Sequence, residues 1–232
     1  MGLYYNGKKV RNLYYNGKCI TRLALGKEMT RLVEGDDFVT AEWLKGDGTA
    51  YIDTNIIVNS STLVLSIKSK AQSSGALCGS RNGANLNPDT TAIHYQSGRY
   101  RLDLLSVSNE YVWVNKSNLE DTFDIDLASN TAVVNGTSFT SSKTHTNSIN
   151  TFRVFGCFGA GVGYSGYINK FMLDDSYNNL DLTPCRLLRP IPATLDGNGI
   201  ARNAGECGMY DSVSGKFYGN VAASGTFTVS DN

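Results

Sequence analysis

Residues 62–69 read TLVLSIKS, with Leu63, Leu65 and Ile67 alternating with Val64, Ser66 and Lys68. Successive side chains of an extended chain point to opposite faces, so this period of two gathers the aliphatics on one side. The segment reads as a strand half-buried against a core. The same period returns in residues 99–105 (RYRLDLL), where Tyr100, Leu102 and Leu104 face inward and Arg99, Arg101 and Asp103 outward. Working outward from these two segments, strands are expected at residues 50–58, 76–80, 92–96, 110–114, 122–127, 131–134, 151–158 and 166–173. Residues 122–127 pair with 131–134 across Ala128-Ser129-Asn130, and Asn135-Gly136 makes the next reversal. No stretch of about eleven residues carries a 3.6-residue amphipathic period. Glycine is abundant at 24 residues, proline scarce at 4, and tyrosine (13) and phenylalanine (9) are plentiful. Short β-branched and aromatic runs between glycine turns indicate an all-β sandwich or jelly roll.

The first 33 residues hold an internal repeat. Residues 3–12 read LYYNGKKVRN, residues 13–22 LYYNGKCITR, and residues 23–33 a degenerate copy, LALGKEMTRLV. Asn-Gly between such runs favours a type I′ hairpin turn, since both residues tolerate positive φ. Asn6-Gly7 and Asn16-Gly17 therefore reverse the chain twice. An array of about 30 residues has too little core to stand alone. It either docks on another subunit or a larger particle, with Tyr4, Tyr5, Tyr14 and Tyr15 as the candidate assembly contacts, or folds onto its own sandwich. Glu34-Gly35-Asp36-Asp37 reads as a linker. The expected organisation is a β-hairpin repeat over 1–34, a linker over 35–40 and one sandwich over 41–232.

Lys+Arg and Asp+Glu each number 21, with no like-charge run, so nothing points to nucleic acid. The N-terminal residues have no apolar core or cleavage site of a secretory leader, and no 18-residue apolar run spans a membrane. The cysteines (Cys19, Cys78, Cys157, Cys185, Cys207) are odd in number and widely spaced. They read as reduced thiols of a protein made in a cytoplasm, without metal-ligand spacing.

Several segments resemble one family. Ala41-Glu42-Trp43-Leu44 followed by Gly48-Thr49-Ala50-Tyr51-Ile52-Asp53-Thr54 is similar to the opening strand of concanavalin A-like lectin/glucanase (laminin G-like) domains in phage tail and Bacteroides-type surface proteins. Cys78-Gly79-Ser80-Arg81 resembles a strand end of those domains, and residues 165–173 (SGYINKFML) their G-x-I-x-x-F-x-I strand. Leu182-Thr183-Pro184-Cys185-Arg186 is similar to L-x-P-C-R. Glu206-Cys207-Gly208-Met209-Tyr210-Asp211 with Gly215-Lys216-Phe217-Tyr218 is similar to the family's G-M-Y-D-x-V-x-G-K-F-Y. The resemblance covers roughly residues 41–228 and implies a concanavalin A-like jelly-roll sandwich. The leading LYYNGKKV repeat resembles N-terminal segments of tail and fibre proteins from phages of gut bacteria.

Glycosidases of such a fold place two carboxylates on one strand, about 5 Å apart in the retaining geometry. None of Glu28, Glu34, Glu42, Glu110, Glu120 and Glu206 forms such a pair. Glu120-Asp121 with Asp124 and Asp126 is the nearest acidic cluster, and it reads as a solvated strand face. His94 and His145 have no evident catalytic partner. No enzyme, cofactor or catalytic residue is expected. Calcium, which many domains of this kind bind, has only Asp174-Asp175 and residues 121–126 as candidate ligands. Asp53, Thr54 and Asp211 read as turn-holding side chains and Tyr210 as core. For sugar, Tyr111 and Trp113 share one strand face, with Arg99, Arg101 and Asp103 as polar neighbours. Alternatively Trp113 fills the core.

These readings combine into an expected phage virion structural protein, a head or tail fibre or decoration component. It is expected to be a homo-oligomer, a trimer by preference, in contact with other virion proteins and with host surface glycans. The competing expectation is a carbohydrate-binding module of a bacterial surface protein. An exposed Tyr111/Trp113 face favours glycan binding, and a buried one a purely structural sandwich.

Overall fold

The computed structural model describes residues 31–82, 90–107, 110–117, 119–157 and 163–230, and the backbone of ten further residues in four N-terminal strands. Those four are β1 (Tyr4–Tyr5), β2 (Lys8–Lys9), β3 (Leu13–Tyr15) and β4 (Lys18–Ile20). Then follow β5 (Phe38–Thr40), β6 (Trp43–Asp47), β7 (Ile52–Asp53), β8 (Val64–Ser73), β9 (Gly75–Ser80), β10 (Thr91–Gln96), β11 (Arg99–Leu102) and β12 (Trp113–Asn115). The chain continues with β13 (Asp121–Asp126), β14 (Thr131–Val134), β15 (Thr137–Thr140), β16 (Arg153–Val154), β17 (Ser165–Asp174) and β18 (Asn179–Leu187). After a 3₁₀ turn at Ala193–Leu195 come β19 (Cys207–Asp211), β20 (Phe217–Gly219) and β21 (Phe227–Ser230).

The protein is all-β, and its strand pairings are antiparallel. The smaller main sheet has the order β12-β11-β10-β9-β16-β7. The larger runs β15-β14-β13-β8-β17-β18-β19-β20, with β6 on β17, β21 on β6 and β5 on β18. Their inner faces meet in one core. Leu65 and Ile67 of β8, Phe123 and Ile125 of β13 and Phe171 of β17 pack in the same cluster as Ile93, Tyr100 and Leu102 of the small sheet. Apolar burial of this extent, at roughly 25 cal/mol per Å², is the main favourable term for the fold.

The alternation in residues 62–69 is realised: Leu63, Leu65 and Ile67 are buried and Val64 is exposed. Strand β14 spans the expected 131–134, and Asn130 and Asn135-Gly136 take positive φ at the two reversals. Strands β9, β10 and β17 cover the expected 76–80, 92–96 and 166–173, whereas two expected runs are much shorter. Residues 50–58 yield only β7, because Asn55 turns at φ 58° and caps on Asp53. Of the expected 151–158, the described residues 151–157 hold only β16, which stops where Phe155 takes φ 62°.

Residues 35–40 form no free linker. Asp37 is buried, accepts the Val33 N–H and pairs with Arg189. Phe38 is buried with Leu32, Cys185, Leu187, Ile191 and Phe217 in a second cluster, and β5 pairs with β18. Among the described residues, contact with the sandwich reaches back to Arg31, whose guanidinium Nε donates to the Tyr210 hydroxyl at 2.7 Å. Ahead of it, β1 pairs with β2 and β3 with β4, with Tyr5 opposite Lys8 and Tyr15 opposite Lys18. This register leaves two residues for each connection, as the repeat predicts. The Asn-Gly pairs and the third copy over 23–30 lie outside the described residues, as do the side chains of Tyr4, Tyr5, Tyr14 and Tyr15.

Candidate functional site

The outer face of the small sheet is built by register. Ala76 lies opposite His94, His94 opposite Arg101, and Arg101 opposite Trp113, so four strands contribute one row across the sheet. A bulge between β9 and β10 makes this row possible. The register shifts at Ile93/His94, which sends both Leu77 and Cys78 into the core and returns Ala76 to the outside opposite His94. The hairpin joining β10 to β11 turns on Ser97 (φ 50°) and Gly98 (φ 83°), a two-residue reversal that sets Gln96 opposite Arg99.

Tyr111 and Trp113 stand on this outer face. Trp113 is half-buried and Tyr111 is 43% exposed, and neither belongs to the core cluster, where Val114 takes the inward place. The Arg99 guanidinium lies 4.8 Å from the Trp113 ring centroid, and that of Arg101 5.0 Å from Tyr111. The two rings are 6.1 Å apart at an angle of 51°. Cation–π attraction of this kind favours each guanidinium over its ring.

Asp103 departs from expectation. It was expected on the solvent side of a strand over 99–105, but β11 ends at Leu102 and the chain turns, folding Asp103 fully under its neighbours. Its carboxylate accepts a hydrogen bond from Arg101 Nη2 at 2.9 Å and lies in ion-pair contact with Arg101 Nε at 2.6 Å, and His94 Nε2 lies 3.3 Å away. Lys143, itself buried, donates to the Asp103 and Thr90 carbonyls at 2.7 Å each. Burial pushes the Asp103 carboxyl up, while Arg101 and Lys143 pull it down. His94 is held to about 3 by burial and by the Arg101 and Arg81 guanidiniums, so it is a neutral imidazole at pH 7. The Asp103 carboxylate near His94 acts the opposite way, but Arg101 lies closer to it and takes the stronger hold.

Beside this row opens a cavity of about 350 Å³, lined among others by Ser74, Arg81, His94, Gln96, Ser97 and Arg101. It exists because Gly75 and Ala76 are small where the rest of the row is large. Gly75 is also required by its surroundings: a Cβ there would come within 2.1 Å of the Gly163 carbonyl oxygen.

No known family model matches the chain, and no curated protein matches it in sequence.

Several other acidic residues hold turns or fasten one segment to another. Asp47 accepts the Thr49, Ala50 and Thr226 N–H groups. Partial burial acts to raise its pKa, but these hydrogen bonds outweigh it and hold the carboxyl well below the ordinary range. Asp175 accepts Asn59, Tyr177 and Asn178 N–H in the same manner, and its pKa is likewise lowered against the effect of burial. Asp121 accepts the Ser117 N–H and the Tyr100 hydroxyl. Asp211 accepts Val213 and Ser214 N–H at its turn, as expected, and Asp53 and Thr54 fasten the chain to Thr151 and Phe152. Tyr210 is half-buried, stacked 4.6 Å from Phe38. Asp124 is exposed and bonded to Ser66. Among the described residues no three His, Cys, Asp or Glu side chains are placed to hold a metal ion. Cys78, Cys157 and Cys185 are buried, and no disulfide joins the described cysteines.

Sequence reasoning found Arg99, Arg101, Tyr111 and Trp113. It missed Arg81 and the pairing role of His94, which depend on the bulge. The Ser97-Gly98 turn signal would have placed His94 and Gln96 beside Arg101 and Arg99.

Proposed function

We propose that this chain is a structural component of a phage virion, a head or tail fibre or decoration protein, that projects a concanavalin A-like jelly-roll sandwich toward host surface glycans. The observation that carries the glycan reading is the placement of Tyr111 and Trp113 outside the core, each beside an arginine. Sugar-binding faces combine an apolar ring that covers the C–H side of a pyranose with planar donors for its hydroxyls.

The assembly half of the reading is supported by the N-terminal strands. Each hairpin pairs only with itself among the described residues. Two-stranded ribbons are at best marginally stable alone, so a surface on other copies or on another virion protein would hold them. The anchor from Arg31 to Phe38 then fixes the repeat to the sandwich at one end.

Two measurements test the two halves. Native mass is compared for the full chain and for a version beginning at Arg31, which keeps the Leu32 anchor. The full chain is expected to be oligomeric and the shortened one a folded monomer; two monomers of equal stability would overturn the assembly role. Binding of the full chain to arrayed bacterial surface polysaccharides is expected to be lost on Trp113→Ala, and an array without signal would overturn the glycan role.

A further inference from the structure

The larger sheet ends, at β15, on an edge that is open among the described residues. Thr137, Ser138 and Thr140 are exposed, and only Phe139 leans on the core. The Asn135-Gly136 turn closes the β14–β15 hairpin on Val134 and Thr137, and past its other end the Ser141 N–H donates to the Asn130 carbonyl. Antiparallel pairing alternates, so the backbone groups of Thr137 and Phe139 meet β14 while those of Ser138 and Thr140 point away from the sheet. No described residue pairs with them there. Residues 137–142 (TSFTSS) hold no charge and no proline, and β15 meets β14 without a bulge. Edges of proteins that stay single carry such devices, because a bare row of N–H and C=O groups invites another strand.

The same chain contains ribbons that need an edge. Hairpin β3–β4 pairs only with itself among the described residues, and its three-residue strands match the span of Ser138–Thr140. Its own β15 is far from its anchor. The chain enters the sandwich beside β19, where Arg31 bonds the Tyr210 hydroxyl and the Ser212 carbonyl. The edge next to that point, on β20, is taken: Asp196 bridges Phe217, and the Gly197 N–H donates to the Phe217 carbonyl. Six strand intervals separate β19 from β15, about 29 Å at the usual spacing. The chain from Ile20 to Arg31 spans at most roughly 36 Å when fully extended. To reach β15 of the same copy it would have to run almost straight across the outer face of the sheet.

Resting on the assembly reading, we propose that the β3–β4 hairpin of one copy adds to the β15 edge of a neighbouring copy and extends that copy's larger sheet. Main-chain hydrogen bonds to Ser138 and Thr140 supply the attraction, as when an extended segment joins a sheet edge. The ribbon then belongs to a sheet of more than two strands, which removes its instability. Strand β3 reads Leu-Tyr-Tyr, residue types that pack well across strands beside Phe139 and Thr140. The contact is heterologous, with the donor anchored near one end of the larger sheet and the acceptor edge at the other. Repeated from copy to copy it closes a ring where the rotation allows, as in the expected trimer.

The test uses the full chain, in which Cys19 lies in β4. Ser138→Cys and Phe139→Cys each place a thiol on β15, one on either face of the sheet. With diamide as oxidant, one of the two is expected to give a disulfide between chains, seen as a multimer on a non-reducing gel and lost when Cys19→Ser is added. Asn115→Cys, on the edge strand of the smaller sheet, is expected to give none. Thr140→Pro removes an outward N–H and leaves the bonds to β14 in place. It should raise the concentration for half-assembly about tenfold, the worth of one backbone hydrogen bond. If that variant does not fold, the cross-links decide. No cross-link from either β15 position in a chain that assembles, or an unchanged assembly of folded Thr140→Pro, overturns this proposal and leaves the assembly reading standing. A cross-link confined to single chains, or an equal yield from Asn115→Cys, also overturns it. A full chain that is monomeric overturns both.

Discussion

On the outer face of the large sheet, Trp43 lies under Lys70 (4.0 Å from the ring) and Lys68 (5.5 Å), with the Tyr167 ring edge-on at 6.5 Å, and is 2% exposed. On the outer face of the small sheet, Trp113 meets Arg99 at 4.8 Å and stays half-open. Both faces place a cation over an indole. The lysines have long flexible stems that drape over the ring, and Glu120 ties their ammonium ends together at 2.5 and 3.6 Å. The arginines each place a guanidinium over a ring, at 4.8 and 5.0 Å, and one of them is paired with the buried Asp103. The first arrangement seals a face. The second leaves ring edges and guanidinium donors available next to a cavity. Composition therefore does not separate a covered tryptophan from a presented one; the shape of the cation and its counterion do.

The largest effect expected from this contrast is on stability. Trp43→Ala removes a buried ring and should cost about 3–5 kcal/mol in urea unfolding. Trp113→Ala should cost within about 1 kcal/mol, since it leaves the core packing in place. Comparable losses for both would break the comparison. Next in size, Asp103→Ala leaves the Arg101 guanidinium without its carboxylate and should destabilise by about 3 kcal/mol, read by the same unfolding.

A smaller effect follows from His94. The folded imidazole is held to about 3, against an ordinary value of 6.5. Between these values the unfolded chain binds a proton that the folded chain does not, so stability falls as pH drops from 6.5 toward 3. Burial raises Asp103 and gives a contribution of opposite sign, so the wild type is compared with His94→Gln. The variant should lose less stability between pH 7 and pH 4, by an order of 1 kcal/mol or more; parallel curves would show that His94 charges freely. The smallest effect is expected at the lysine cover. Glu120→Gln breaks exposed ion pairs and should change stability by no more than about 1 kcal/mol.

The fold was legible wherever one face of a strand is apolar and the other polar. Residues 62–69 and 131–134 state their own burial, and Asn135-Gly136 its own turn. The signal failed where a strand is buried on one side and capped by side chains on the other. Residues 50–58 read as one run, yet Asp53 and Asn55 break it with a local turn. Asp103 fits the outward position of an alternating strand, and nothing in its neighbours in sequence announces Lys143, 40 residues on, that helps to bury it. Of the candidate site, Tyr111 and Trp113 were visible as a pair, but their side of the sheet was not. An i, i+2 aromatic pair faces core or solvent equally well; here Val114 takes the core side. Arg81 joined the site only through the bulge at Leu77.

The account rests most on Trp113 being the presented tryptophan and Trp43 the sealed one, and the chain has two tryptophans in all. The direct measurement is the intrinsic fluorescence of the full chain titrated with a bacterial surface polysaccharide preparation, in wild type, Trp113→Phe and Trp43→Phe. The account predicts a saturable change in intensity that persists in Trp43→Phe and disappears in Trp113→Phe. A saturable change that survives loss of Trp113, or none in the wild type, would contradict it.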